Sequence, residues 1–344
     1  MEIKDDMDLL DTQISEAKKV PDLYKPTNYW LNYTDDIVLN LKKDGMKSLR
    51  NKRKSVFNVF GGSDDQMEYF RIRKKGNFPP THFFDKYYMV WSAIPKETLQ
   101  MLAYQQAYYL DKKYNVNKVQ ELSVSLVGDP VDVFYADGKP YTVNFLNYFL
   151  QYIYLTRFID FNKIKVFIDL GCGLSKVTEV IHRLHPHVMI LLFDIVPTIY
   201  TTEMYWKSLF GDSVKGYREV KSLKELKYDA GKVYVFPNWM IPIIKTIPVD
   251  VFMNSGSFQE MEKNVVDNYL SFVNGNARYV YLRASMKGSE HAKHVGDFGS
   301  IAPVKKEVYL SALSNYKILD NSQSVFSLLV KSGYEDILFE RENL

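Results

Sequence analysis

Two carboxylates and two glycines form the most chemically suggestive grouping in the chain. Asp169 closes an apolar run, Gly171 and Gly173 follow it, and Asp194 stands 21 residues beyond Gly173 at the end of a second apolar run. Glycines in a tight strand-to-helix turn let a ligand approach the backbone with no side chain in the way. A helix N-terminus at such a turn favours an anion, and dinucleotide sites put a pyrophosphate there. Asp169 would repel those phosphates, and Lys176 stands where G-x-G-x-x-G requires its third glycine. Asp194 is spaced to accept hydrogen bonds from both ribose hydroxyls of an adenosine. Alone, Asp169 also reads as a turn or capping acid and Asp194 as a strand-end acid. Together, around a Gly-x-Gly turn, they point to an adenosine ligand that carries positive charge and no phosphate. S-adenosylmethionine, with its sulfonium and α-amino group, meets both demands.

Such a turn needs a frame. From about residue 163, short apolar runs alternate with helical segments. Strands are expected at 165–170, 188–195, 232–238, 249–255 and 278–285, with helices at 176–185, 198–210 and 262–273. Near-continuous apolar strands alternating with helices imply a parallel sheet covered on both faces. The late runs at 316–321, 324–332 and 334–342 are expected to close it as an antiparallel pair. The fold class is therefore α/β, a Rossmann-like, doubly wound, mostly parallel seven-stranded sheet with a largely helical N-terminal extension. Ligand chemistry then belongs at the carboxyl ends of the strands.

The N-terminal part differs. Residues 1–20 read as a loosely held polar amphipathic helix, 21–80 as irregular, and 95–118 and 142–159 as helices, with Thr142 as a cap. The domains divide as 1–150, a mostly helical region contributing to an acceptor pocket, and 151–344, the cofactor-binding domain. Basic runs at Lys42, Lys43, Lys47, Arg50, Lys52, Arg53 and Lys54, and at Arg71, Arg73, Lys74 and Lys75, read as solvated faces or as a patch for a phosphorylated acceptor.

Composition narrows the class. The 344 residues carry 44 Lys and Arg against 41 Asp and Glu, a net charge of +3 that gives no strong argument for nucleic acid or a membrane as a partner. One cysteine, Cys172, excludes an internal disulfide and a cysteine zinc cluster, and fits a reducing compartment. The start, MEIKDDMDLL, lacks a secretory pattern, and the apolar stretches are strand-sized, far short of the roughly 20 residues that span a bilayer. A soluble, cytoplasmic protein is expected. Its 26 Tyr and 21 Phe build cores, suit concave sites with polar edges and permit a homodimer face.

The string Asp169-Leu-Gly-Cys-Gly-Leu-Ser175 resembles motif I of class I S-adenosylmethionine-dependent methyltransferases, D/E-x-G-x-G-x-G, with Ser175 in place of the last glycine. The resemblance implies that Asp169, Gly171 and Gly173 surround the methionine half of the cofactor and that Asp194 holds the ribose. It sets Pro237, Asn238 and Trp239 near adenine and Asn254 near the reactive methyl group. A narrower likeness covers more of the chain. Asn254 to Met261, NSGSFQEM, is similar to a segment of the bacterial putative sugar O-methyltransferases, and Gly128, Asp129 and Pro130 match their upstream turn. That family implies transfer of a methyl group to a sugar hydroxyl of a glycan precursor or nucleotide-linked sugar.

A hydroxyl acceptor needs a general base within hydrogen-bond reach. Glu260 is one candidate, although its spacing from Ser257 is also that of a capping box. His291 and His294, in a Gly- and Ser-rich loop and with Asp297 nearby to orient one of them, are the others. As a group, these three also read as a weak metal signal or as ordinary loop residues, and no metal is expected. Arg283 and Lys287 are placed to grip an anionic group on the acceptor. His182, His185 and His187 read as structural, and Cys172 as a small turn residue. Three other functions compete. They are a methyltransferase acting on RNA or protein, a non-catalytic cofactor-binding assembly protein, and a nicotinamide enzyme.

Overall fold

The computed structural model describes residues 3–47, 49–50, 95–297, 299–323 and 334–342. The second basic run and residues 52–54 of the first therefore lie outside the described residues, as does the apolar run at 324–332.

The N-terminal part supplies α1 (Met7–Ala17), α2 (Asn28–Asp44) and α3 (Lys96–Lys113), then a short hairpin of β1 (Phe134–Ala136) and β2 (Lys139–Tyr141), then α4 (Val143–Thr156). The expectation of a loosely held first helix is corrected. Leu9, Leu10 and Gln13 of α1 are buried, Asp6 caps it by accepting from Leu9 N, and the Asp6 N–H donates to Tyr200 Oη. Arg218 pairs with Asp6, and Tyr217 Oη donates to Glu16. Residues 21–80 were expected to be irregular, yet α2 runs for 17 residues there. Its apolar stripe is Trp30, Ile37 and Leu41, all buried, and intervening Asn, Thr and Asp hide the helical period. Thr142 caps α4 as expected, its Oγ1 accepting from Phe145 N at 3.1 Å. Twelve of the 14 residues of α4 are buried.

The remaining chain forms β3 (Val166–Leu170), α5 (Lys176–Leu184), β4 (Met189–Asp194), α6 (Thr198–Phe210), β5 (Val214–Lys215), α7 (Tyr217–Val220), β6 (Val233–Pro237), β7 (Val249–Ser255), α8 (Lys263–Val273), β8 (Ala277–Ser285), α9 (Lys306–Ala312), β9 (Tyr316–Gln323) and β10 (Tyr334–Arg341). The sheet order is β5-β6-β4-β3-β7-β8-β10-β9. It contains the seven expected strands and a two-residue edge strand, β5. Strands β5 to β8 with β3 and β4 pair in parallel, and β10 runs antiparallel to both β8 and β9.

Every residue of β3 and β4 is buried, as a strand covered on both faces requires. The chain leaves β3 toward β4 and β6, then returns to β7 on the other flank. The strand order runs in opposite directions from β3, and right-handed crossovers place helices on both faces of such a sheet, so β3 marks the switch point. The carboxyl ends of β3, β4 and β7 border the crevice there.

Candidate functional site

A cleft of about 320 Å³ lies at that switch point. Such a volume falls at the lower end of small-molecule pockets. Asp169, the glycine turn through Lys176, Asp194, Met253, Ser257 and Glu260 line it, together with Lys25, Thr27 and Trp30 from the N-terminal part.

The turn after β3 is held by its neighbours. Gly171 N and Cys172 N both donate to Phe193 O, at 2.8 and 3.2 Å. Gly171 has φ +68°, and a Cβ there would overlap Ser257 Oγ. Glycine is thus required both by the backbone and by the close approach of the loop after β7. Ser175 adopts a left-handed conformation, φ +54°, and leads into α5.

Asp169 is buried and accepts from Ser175 Oγ at 2.6 Å and Thr178 Oγ1 at 2.8 Å. Burial raises its pKa to about 6 against the pull of those two hydroxyls. Asp194 Oδ2 accepts from Gly173 N and Oδ1 from Ile195 N, both at 2.7 Å. Burial raises Asp194 to about 7, with those N–H groups pulling down and the Asp169 charge adding to the rise. A carboxylate has about four lone-pair sites, so Asp194 retains capacity for further donors. Glu260 ends a short 3-10 turn, Phe258–Glu260, after β7. Its Oε2 accepts from Trp30 Nε1 at 3.2 Å. Burial raises Glu260 to about 8, the indole pulling down and Asp194 pushing up.

The donors to these three acids are all neutral, and among the described residues none of the three belongs to an ion pair. The cations of the cleft have acids of their own. Lys176 pairs with buried Glu179 at 3.3 Å, Lys25 with Asp22 at 2.8 Å, and Arg283 Nε lies 3.8 Å from Asp336. Burial and the nearby Arg50 lower Lys176 to about 7, partly offset by Glu179. Against the upward push of burial, Lys176 and Arg183 hold Glu179 down at about 2. No group of three or more potential metal-ligating side chains occurs among the described residues.

Several expected site residues stand elsewhere. Asn254 is buried outside the cleft wall, with Nδ2 donating to Leu170 O and Ser257 Oγ and Oδ1 accepting from Phe258 N. Its amide ties β7 to β3 and to the loop after β7, behind the residues that line the cleft. Asn238 is likewise behind the wall, Nδ2 donating to Tyr24 O and to Tyr269 Oη at 2.8 Å each. Tyr269, which it holds, is the residue that lines the cleft. Trp239 lies outside the cleft lining, edge-on to Tyr217 at 6.4 Å.

His291 and His294 are exposed and do not line the cleft. Asp297 orients neither ring, because its Oδ2 accepts from the His294 backbone N–H. Both histidines therefore stand away from the cleft that Glu260 lines. Lys287 is exposed, whereas Arg283 is buried in the cleft wall. Arg50, read as part of a basic surface, is fully buried and donates to Ser125 O and Val127 O. Cys172 is buried, and burial holds its thiol well above the ordinary range, so it stays protonated. His185 bonds Tyr152 Oη and stacks on Phe161, while His182 lies against Phe210, both structural.

Lys25, Thr27, Trp30, Tyr148, Tyr269 and Tyr334 were not anticipated from sequence. None belongs to a motif. The aromatic spacing in α2 was the one available signal, and it announces burial, not a site.

No protein-family model and no curated protein matches the sequence. Among solved structures, the chain is similar to the mitomycin 7-O-methyltransferase MmcR, with 12% identity over 55% of this chain and 52% of that one, and a TM-score of 0.37. It is also similar to PigF with SAH, at 11% identity over 55% and 53% of the two chains, TM-score 0.34. Magnesium protoporphyrin IX methyltransferase (ChlM) from Synechocystis PCC 6803 with bound SAH gives 9% identity over 58% and 83%, TM-score 0.38. The match thus spans about half the length of MmcR and of PigF. No helix among the described residues is long and apolar enough to cross a membrane.

Proposed function

We propose that this protein is an S-adenosylmethionine-dependent O-methyltransferase that methylates a sugar hydroxyl of a glycan precursor or nucleotide-linked sugar. One observation carries the reading. Three carboxylates, Asp169, Asp194 and Glu260, share a cleft beside a Gly-x-Gly turn, accept only from neutral donors and have pKa values raised by burial, with Asp169 adding to the rise of Asp194 and Asp194 to that of Glu260. A cationic ligand relieves that arrangement, and a pyrophosphate aggravates it. The residues therefore fit S-adenosylmethionine, with Asp169 near its charged methionine half and Asp194 on the ribose. Tyr269 and Ile195 provide the apolar wall for adenine, in place of Trp239.

Bound there, the cofactor supplies an electrophilic methyl group on a sulfonium. The chain supplies the rest. Glu260, as carboxylate, takes the proton of the acceptor hydroxyl as the new oxygen–carbon bond forms. Trp30, Tyr148 and Tyr334 give aromatic faces for the apolar side of a sugar ring and exclude water. Arg283 offers a guanidinium for a carboxylate or phosphate on the acceptor. The string Asn254–Met261 builds this end of the cleft. Phe258 enters the core, Gln259 bonds Tyr334 Oη and Ser285 N, and Glu260 and Met261 line the cavity.

The test is calorimetric titration with S-adenosylmethionine and S-adenosylhomocysteine, on wild type and on Asp169→Ala and Asp194→Ala, followed by a methyl-transfer screen over nucleotide sugars. Binding lost in both variants and transfer to a sugar support the reading. Binding of NAD(H) with no affinity for either sulfur ligand overturns it. Cofactor binding with transfer only to RNA or protein, or to nothing, replaces the sugar acceptor or the catalysis respectively.

A further inference from the structure

The first turn of α2 lies more than 200 residues from Glu260 in sequence and grips it at two points. Thr27 Oγ1 donates to Glu260 O at 2.9 Å, and Trp30 Nε1 donates to Glu260 Oε2 at 3.2 Å. Between them, buried Asn28 fastens the loop after β8. Its Nδ2 donates to Asp297 O and Gly299 O, and its Oδ1 accepts from Gly296 N. Trp30 is itself 8% exposed and packs edge-on against both Tyr29 and Tyr33, at 6.3 and 6.4 Å. A packed donor is thus aimed at one carboxylate oxygen of Glu260.

We propose that Trp30, steadied by Thr27, is a positioning residue for Glu260. It holds Oε2 so that Oε1 is presented to the acceptor hydroxyl. The proton then moves from the acceptor oxygen to Oε1, while the Trp30 bond to Oε2 persists. This rests on the reading of Glu260 as proton acceptor.

Other charged or titratable groups share the cleft with Glu260. They are Asp169 of β3, Cys172 of the turn, Lys176 of α5, Asp194 of β4, Lys25, Tyr148 of α4, Tyr269 of α8, Arg283 of β8 and Tyr334 of β10, while Tyr33 of α2, outside the lining, is raised by burial and by the Glu260 charge. Asp194 raises Glu260, and the Trp30 hydrogen bond opposes the rise. The contribution of Trp30 is therefore separable by its sign.

The experiment is a carbon-13 NMR titration of the full-length protein labelled at Glu carboxyls, with the Glu260 signal assigned through Glu260→Gln. It needs neither cofactor nor acceptor. In Trp30→Phe, which keeps an aromatic ring and removes the N–H, the Glu260 midpoint should rise by about one pH unit, the scale of a lost hydrogen bond to a carboxylate. Thr27→Val should move it in the same direction by less, and it serves if Trp30→Phe does not fold. A folded Trp30→Phe, or in its place Thr27→Val, with the wild-type midpoint overturns the proposal. In methyl-transfer assays, the alkaline shift should appear in the pH–rate profile of Trp30→Phe, with kcat reduced and KM for the acceptor unchanged. Turnover that survives in Glu260→Gln overturns the base reading, and the role of Trp30 with it, whatever the NMR midpoint does.

Discussion

Glu260→Gln should make the protein more resistant to alkali than wild type. An acid whose folded pKa lies above its unfolded value binds more protons folded than unfolded throughout the interval between the two. Stability therefore falls as pH rises across that interval. For Glu260 the interval runs from 4.5 to about 8. At pH 6 the group costs about 2 kcal/mol, because the folded protein must keep a proton that the unfolded chain has released. At pH 8.5 the cost approaches its ceiling, about 5 kcal/mol, and the difference across the window is about 2 to 3 kcal/mol. The glutamine is neutral at every pH and still offers its carbonyl to Trp30 Nε1. Urea unfolding of both proteins at pH 6, 7 and 8.5, at constant ionic strength, measures the gap. It should widen by about 2 to 3 kcal/mol toward pH 8.5, or about 3 to 4 °C in thermal midpoint. Asp169 and Asp194 titrate in both proteins and largely cancel in the comparison. If wild type and Glu260→Gln lose stability in parallel, Glu260 is an ordinary solvated acid and the cationic-ligand argument loses its strongest member.

Three further outcomes follow from the same geometry. S-adenosylmethionine should bind more tightly at pH 8.5 than at pH 6, because Asp194 at about 7 and Glu260 at about 8 ionise between them, and the neutral thioether S-adenosylhomocysteine should show a weaker trend in calorimetry. Gly171→Ala combines a left-handed backbone with overlap at Ser257 Oγ, and should lose about 3 kcal/mol in urea unfolding. The double variant His291→Ala with His294→Ala alters exposed loop residues outside the cleft, so methyl transfer and cofactor affinity should stay within about twofold of wild type.

The sheet and the half of the cleft around Asp169 and Asp194 were legible because their residue types answer to backbone demands. A strand buried on both faces has to be apolar along its length, as β3 and β4 are. A turn that passes a neighbouring loop at contact distance has to use glycine, as Gly171 does. The expected position of Asn254 failed for a related reason. An amide at a strand end can face the ligand or tie the strand to its neighbour, and both uses accept the same residue. Only the donors and acceptors around it, Leu170 O, Ser257 Oγ and Phe258 N, decide between them. The hairpin at Asp137-Gly138 was signalled locally, since both residues take the positive φ that a tight two-residue turn needs, and was passed over.

The acceptor half obeys a different logic. Trp30 lines the cleft and bonds Glu260, whereas Trp206 is fully buried and donates to Leu174 O. In sequence the two are indistinguishable, each an aromatic on a helix with apolar neighbours three or four residues away. What separates them is a contact across 230 residues of chain, which no local pattern encodes. The N-terminal helices are joined to the sheet mainly through such distant pairs, among them Asp6 with Arg218, Asn238 with Tyr24 and Thr27 with Glu260. Under the proposed function, acceptor specificity rests with an element whose own sequence is constrained only to be helical and half buried. On that reading, two chains with the same turn after β3 can differ completely in their acceptors, and the first turn of α2 is where that difference should be sought.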